Sequence, residues 1–169
     1  MSIALAMASA DTFAQMLQAA LDEHPDATVY VKTHPETASG HKGGHYASLV
    51  DSERVVVLRQ AIEPLSLIQQ MDAVYVVSST MGFEALLAGK PVHCFGLPWY
   101  AGWGATHDRQ RCERRTRTRG VDELFAAAYL RYARYIDPQT LQPGTVFDVI
   151  HWLIRQRRMA GLLDPPHGA

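Results

Sequence analysis

The sequence predicts an α/β fold built on a parallel sheet. Short β-branched runs alternate with stretches of helical periodicity. The apolar runs are not broken by polar alternation, as strands covered on both faces require. Glycines and prolines fall between these runs rather than inside them. In order, "DTFAQMLQAALDEHPDA" sets Phe13, Met16, Leu17, Ala20 and Leu21 at helical spacing, with Pro25 as its stop. "TVYVKTHP" is a short strand that breaks at Pro35, and "ETASGHKGGHYASL" is a glycine-rich loop. "RVVVLR" is a second strand. "EPLSLIQQMD" is a short helix with Pro64 in its first turn. "AVYVVSS" is a third strand, "TMGFEALLAG" a helix ended by Gly89, and "PVHCFG" a fourth strand.

This α-β-loop-β-α-β-α-β order is one Rossmann-like unit entered at a helix. The strand and phosphate-facing loop that usually open such a unit are not found, so the expectation is a lobe cropped at its N-terminus. After a run of six arginines between Arg109 and Arg119, two further helices are predicted, over 121–136 and 146–163. The organisation expected is a single lobe over 1–163 with a tail over 164–169.

Composition narrows the function. A chain of 169 residues supports one domain with a real core. Apolar content of 47% with 20% charged residues is that of a globular protein rather than a disordered one. The net charge of −1 argues against a generally nucleic-acid-binding surface. Cys94 and Cys112 form neither a disulfide framework nor a paired metal motif, which suits a reducing compartment. No apolar run reaches the roughly 20 residues that span a bilayer, and "MSIALAMASA" lacks the basic start of a signal peptide. "HKGGH" has a ligand-like count, but its glycines disfavour a helix, and no metal is expected.

Ligands of open parallel sheets bind beyond the carboxyl ends of the strands. Ser78, Ser79 and Thr80 follow the third strand and lead into a helix. There, free N–H groups, hydroxyls and the helix dipole favour an anion such as phosphate. The alternative is that Ser79 or Thr80 only caps that helix. His34 leaves the first strand in a direction restricted by Pro35, placed to donate to a phosphate oxygen; the alternative is a solvent-facing loop histidine. Glu63 is a candidate acceptor for sugar hydroxyls, or simply an acid at a helix start. Glu84 is a candidate capping partner one turn into its helix. "GLPWYAGWG" offers Trp99, Tyr100 and Trp103 for stacking, or is a rigid loop packing its own aromatics. The arginine run is either an anion-binding face or a solvated surface.

The chain resembles the KpsC-type capsular polysaccharide proteins, the β-Kdo glycosyltransferases of capsule synthesis and export. The resemblance rests on "VKTHPE" (31–36), "SSTMGFEALLAGKPVHCFGLPWYAGWGATHD" (78–108), "RRTRT" (114–118) and "VDELFAAAYLRYARYIDPQT" (121–140). The His-Pro and Ser-Ser pairs are also similar to those of bacterial sialyltransferases. The resemblance implies one donor-binding lobe of a two-lobed GT-B glycosyltransferase that uses CMP-Kdo, with no metal or other cofactor. By motif, His34 would contact the donor phosphate and assist its departure. Pro35 would border the nucleotide, Ser78 and Ser79 would hold phosphate oxygens, and Glu63 would bind ribose hydroxyls. Implied partners are the CMP-sugar donor, a lipid-linked glycan acceptor, the capsule export machinery and a separate N-terminal lobe. The implied location is cytoplasmic, at the inner face of the membrane. Two other readings stay open. One is a non-catalytic capsule assembly module that binds acidic glycan or a transporter subunit. The other is a GT-B-like sugar-nucleotide epimerase.

Overall fold

The computed structural model describes residues 10–32, 49–60 and 62–161. It divides into two units, Met1–Gly120 and Val121–Ala169, each built on its own contacts.

In the first unit, α1 (Ala10–Glu23) ends just before Pro25, as the sequence predicts. Its last carbonyls are closed by Arg54, whose guanidinium donates to Leu21 O at 3.0 Å, His24 O at 2.6 Å and Ala27 O at 3.3 Å. The strands β1 (Val29–Lys32) and β2 (Val55–Leu58) pair in parallel, Val29 opposite Val55. A six-residue helix, α2 (Pro64–Gln69), follows β2. The second parallel sheet has the order β3-β4-β5, with β3 (Val74–Val76), β4 (Val92–Cys94) and β5 (His107–Asp108). The helix α3 (Met81–Leu87) joins β3 to β4 and stops at Gly89. Gly89 has φ +73° and no atom within 4 Å of where a Cβ would stand, so backbone conformation alone selects glycine here. The α/β architecture with parallel strands and covering helices is therefore the one expected.

Alternation decides the two faces of the β3-β4-β5 sheet. Val74, Val76, Val92 and Cys94 point to one side and are buried with Phe83, Leu86 and Ile68. Phe83, Ile68 and Val92 are each no more than 1% exposed, and such burial stabilises by roughly 1.5–3 kcal/mol per side chain. The other face is not the continuous apolar surface that the sequence pattern implies. It carries a cross-strand row of Tyr75, His93 and His107, placed opposite one another by register. The Tyr75 and His93 rings stack at 4.3 Å and those of His93 and His107 at 4.7 Å. Glu23, at the end of α1, reaches this row: Tyr75 donates to it at 2.7 Å, and Arg109 pairs with its other oxygen. The Tyr75 bond holds the Glu23 carboxyl below its ordinary range, against burial and with help from Arg109.

In the second unit, α4 (Val121–Phe125) continues as a π-helical segment over Ala126–Tyr132, in which Ala133 N–H reaches Ala128 O. The helix expected over 121–136 therefore ends early. Tyr135–Ile136 forms β6, which pairs antiparallel with β7 (Pro143–Gly144). Helix α5 (Val146–Met159) begins with a capping box between Thr145 and Asp148.

Candidate functional site

Ser78, Ser79 and Thr80 lie at the carboxyl end of β3, and Glu63 lies beyond that of β2. His34 and Pro35 fall outside the described residues.

The three hydroxyls after β3 are not equivalent. Ser79 Oγ accepts from Met81 N–H at 3.2 Å, so Ser79 supplies the cap. Thr80 has helical dihedrals and makes no capping bond with its side chain. Ser78 is half-buried, and its hydroxyl has no hydrogen bond among the described residues. Among the described residues, neither the Ser78 nor the Thr80 hydroxyl makes a hydrogen bond. Glu84 is exposed and makes no side-chain hydrogen bond there, so it is not the capping partner.

Glu63 is the N-cap of α2. Its extended backbone (φ −63°, ψ 122°) turns the carboxylate onto Leu65 N–H at 3.1 Å and Ser66 N–H at 2.6 Å.

The glycine-aromatic loop positions the serines from below. Tyr100 is 0% exposed, and its hydroxyl donates to the Ser79 carbonyl. Burial raises its pKa far above that of a free phenol, so it remains a neutral donor. Space for this ring exists because residue 82 is glycine. A Cβ there would meet the Tyr100 hydroxyl and Val76 Cγ2, the latter at 2.9 Å. Tyr100 is consequently unavailable for stacking on a ligand. Trp99 packs on Phe83 at 4.4 Å and is 37% exposed. Arg115 holds the same loop. It donates to Pro98 O at 2.6 Å and Ala101 O at 2.5 Å, and lies 5.6 Å from the Trp103 ring centre. The arginine run is therefore not one uniform face: Arg115 is a half-buried loop brace and Arg109 an exposed partner of Glu23, while Arg111, Arg114 and Arg117 are exposed.

Among the described residues, no group of three His, Cys, Asp or Glu side chains is placed to hold a metal ion. No helix among them is long and apolar enough to cross a membrane. Cys94 is wholly buried, and burial pushes its thiol up to about 12, which leaves it unreactive. The Tyr100–Ser79 bond and the Tyr75-His93-His107 row were missed by reasoning from sequence. The signal for the row was Tyr75 and His93 inside the otherwise apolar runs of β3 and β4; β5, His107–Asp108, carried none.

A parallel α/β unit with hydroxyls gathered beyond a strand end defines a class of ligand-binding lobe. Residues 1–135 match the family described as "Capsule polysaccharide biosynthesis protein", and the chain belongs to that family. It is 48% identical over 165 residues to the "Capsule polysaccharide modification protein LipA" of Neisseria meningitidis serogroup B, covering 94% of this chain and 23% of that one. It is 39% identical over 135 residues to the "Lipopolysaccharide-processing protein LpsZ" of Rhizobium meliloti, covering 79% and 30%. Among solved structures, it is similar to Thermosulfurimonas dismutans KpsC, beta Kdo 2,4 transferase. The TM-score is 0.86 at 53% identity, over 91% of this chain and 48% of that one. For the beta Kdo 2,7 transferase of the same KpsC, the TM-score is 0.69 at 31% identity, over 85% and 46%. The chain thus spans about a quarter of the LipA relative and about half of each transferase structure.

Proposed function

We propose that this chain is the donor-binding lobe of a capsule β-Kdo transferase, with CMP-Kdo as the donor. The observation that carries the reading is the pair of hydroxyls, Ser78 and Thr80, that lie beyond β3 without a hydrogen bond among the described residues, in a chain 53% identical to a KpsC transferase. In this reading the hydroxyls of Ser78 and Ser79 hold the donor phosphate at the start of α3, whose own first N–H groups are taken by Ser79 and Thr80. Thr80 adds a third hydroxyl. His34, which follows β1 in sequence beside Pro35, donates to a phosphate oxygen as CMP departs and so stabilises the developing charge. Glu63 accepts from ribose hydroxyls while it caps α2. No metal is required, because the leaving group is a monophosphate met by neutral and histidine donors. The acceptor in this reading is a lipid-linked glycan, bound by a separate N-terminal lobe. Function is expected at the cytoplasmic face of the membrane, where capsule export machinery collects the product.

Calorimetric titration with CMP, and with UMP as control, tests this. CMP binding that exceeds UMP binding and is lost in His34→Ala and in the Ser78→Ala/Ser79→Ala double variant is the expected result. Equal binding of both nucleotides, or CMP binding indifferent to these substitutions, would overturn it.

A further inference from the structure

Each parallel sheet of the first unit has one strand whose second edge is unpaired. Val29 N–H donates to Arg54 O at 2.8 Å. In the β1–β2 register this turns the backbone groups of Val29 and Val31 toward β2 and those of Tyr30 away from it. In β3, Val74 N–H donates to Pro91 O and Val76 O accepts from Phe95 N–H, both at 2.9 Å, so the backbone groups of Tyr75 point away from β4. Among the described residues, no backbone hydrogen bond joins β1 to β3, and Tyr30 and Tyr75 are left without a strand to pair with.

The outer edges are protected in a way these two are not. Along the far side of β2, Val55 O accepts from Ser52 N–H at 2.9 Å, and Val57 N–H donates to the Asp51 carboxylate at 2.7 Å. Arg59 holds that carboxylate at 2.8 Å. The other outer strand, β5, is only two residues long. Loop cover and brevity are common protections of a sheet edge. Helix α1 ties the two sheets together. Arg54, which leads into β2, donates to Leu21 O and His24 O, while Tyr75 of β3 donates to Glu23 at 2.7 Å and lies 3.0 Å from His24 Nε2. The starts of β1, β2 and β3 thus lie at the C-terminal end of α1, and the strands run in one direction. With the covered edge of β2 and the short β5 outside, the unpaired edges of β1 and β3 face each other.

We infer that β1 and β3 form a slot for one further strand, parallel to both. Tyr30 and Tyr75 each offer it one N–H and one C=O, so an inserted strand gains main-chain bonds on both edges. A central parallel strand is buried on both faces, so the occupant is an apolar run as long as β1, four residues, without proline. The chain spans about half of each transferase structure, and the rest of the longer protein is the source of this segment. A second copy of the chain is a poor source, because its own β-branched runs already form β1 to β4. The inference goes beyond the donor reading, since it uses backbone edges alone and requires no nucleotide.

The test is amide hydrogen exchange, read by NMR on the full chain, alone and with the synthetic peptide acetyl-KTVVVVTK-amide. In the chain alone, the Tyr30 and Tyr75 amides should exchange faster than those of Val31 and Val76, which are bonded within their sheets. The peptide should slow Tyr30 and Tyr75 together, by roughly tenfold or more, and the proline-bearing acetyl-KTVPVVTK-amide should not. Tyr30→Pro keeps the β1–β2 ladder, which does not use the Tyr30 N–H, but puts a ring into the slot, so peptide protection at Tyr75 should be lost. Unchanged amides at Val56 and Leu58 will show that the ladder persists. Four results would overturn the inference: Tyr30 and Tyr75 as protected as Val31 and Val76 without peptide; no slowing with peptide; slowing at only one of the two tyrosines, or at Val55 and Val57 on the outer edge; or an equal effect of the proline peptide. Loss of CMP binding in the separate titration changes none of these, so the two readings fail independently.

Discussion

Replacing Gly82 by alanine puts a methyl group where the Tyr100 hydroxyl already sits. Its Cβ would also stand 2.9 Å from Val76 Cγ2 and 3.0 Å from Tyr100 Cζ. Neither neighbour yields cheaply, because Val76 is 4% exposed and Tyr100 wholly buried. Overpacking of this kind costs about 1–3 kcal/mol. Alanine returns at most about 1 kcal/mol through helix propensity, so a net loss of about 1–2 kcal/mol is expected. Tyr100→Phe alone should cost about 1 kcal/mol or less, since the Ser79 carbonyl still accepts from Gly82 N–H at 3.2 Å. In the double variant, one of the clashing atoms is gone while Val76 remains. The combined cost should therefore fall short of the sum by about 1 kcal/mol. Urea unfolding followed by the fluorescence of Trp99 and Trp103, in a Trp152→Phe background, reads the first unit. With a slope of about 2 kcal/mol per M, Gly82→Ala shifts the midpoint down by about 0.5–1 M. A Gly82→Ala protein as stable as the parent, or costs that add to within about 0.5 kcal/mol, would show that the ring and the glycine are not coupled.

Two further outcomes follow from the packing around this loop and the opposite face of the sheet. Arg115→Ala removes both bonds to the loop and leaves the buried Ala101 carbonyl unpaired, at a cost of about 2–4 kcal/mol, while Arg117→Ala, at an exposed position, should stay within about 0.5 kcal/mol. Equal midpoints for the two in urea would refute the bracing role. His93 has its pKa lowered from the ordinary 6.5, by burial first and by His107 second, and its Nδ1 is buried without a hydrogen bond among the described residues. As pH falls below 6.5 the unfolded chain takes up this proton before the folded one does. Stability is thus fully present above 6.5 and lost below it. Glu23 adds to the loss only as pH approaches its ordinary 4.5, because its folded pKa is lowered. His93→Phe should flatten the decline in urea midpoint between pH 6.5 and 4.5; a slope equal to the parent's would remove His93 as its source.

The sequence by itself determined most of the local elements. The β-branched runs of β1 to β4, the stops at Pro25 and Gly89, and the placing of Ser78–Thr80 at a strand end depend on side-chain shape and backbone dihedrals within a few residues. Those preferences act before any tertiary contact forms. The serine-bearing motif was legible for the same reason, and it carried the family resemblance. Tertiary structure decided what joins residues distant along the chain. His107–Asp108 is a strand only because β4 offers it an edge, and two residues hold no periodicity to detect. Tyr135–Ile136 left the helical pattern because pairing with Pro143–Gly144 satisfies its backbone groups. Glu23 and Arg109 meet across 86 residues, and Tyr100 reaches Ser79 across 21. Which arginine braces a loop and which faces solvent, and which hydroxyl caps a helix and which stays free, are outcomes of burial. Burial depends on the whole packed chain, and no short window of sequence contains it.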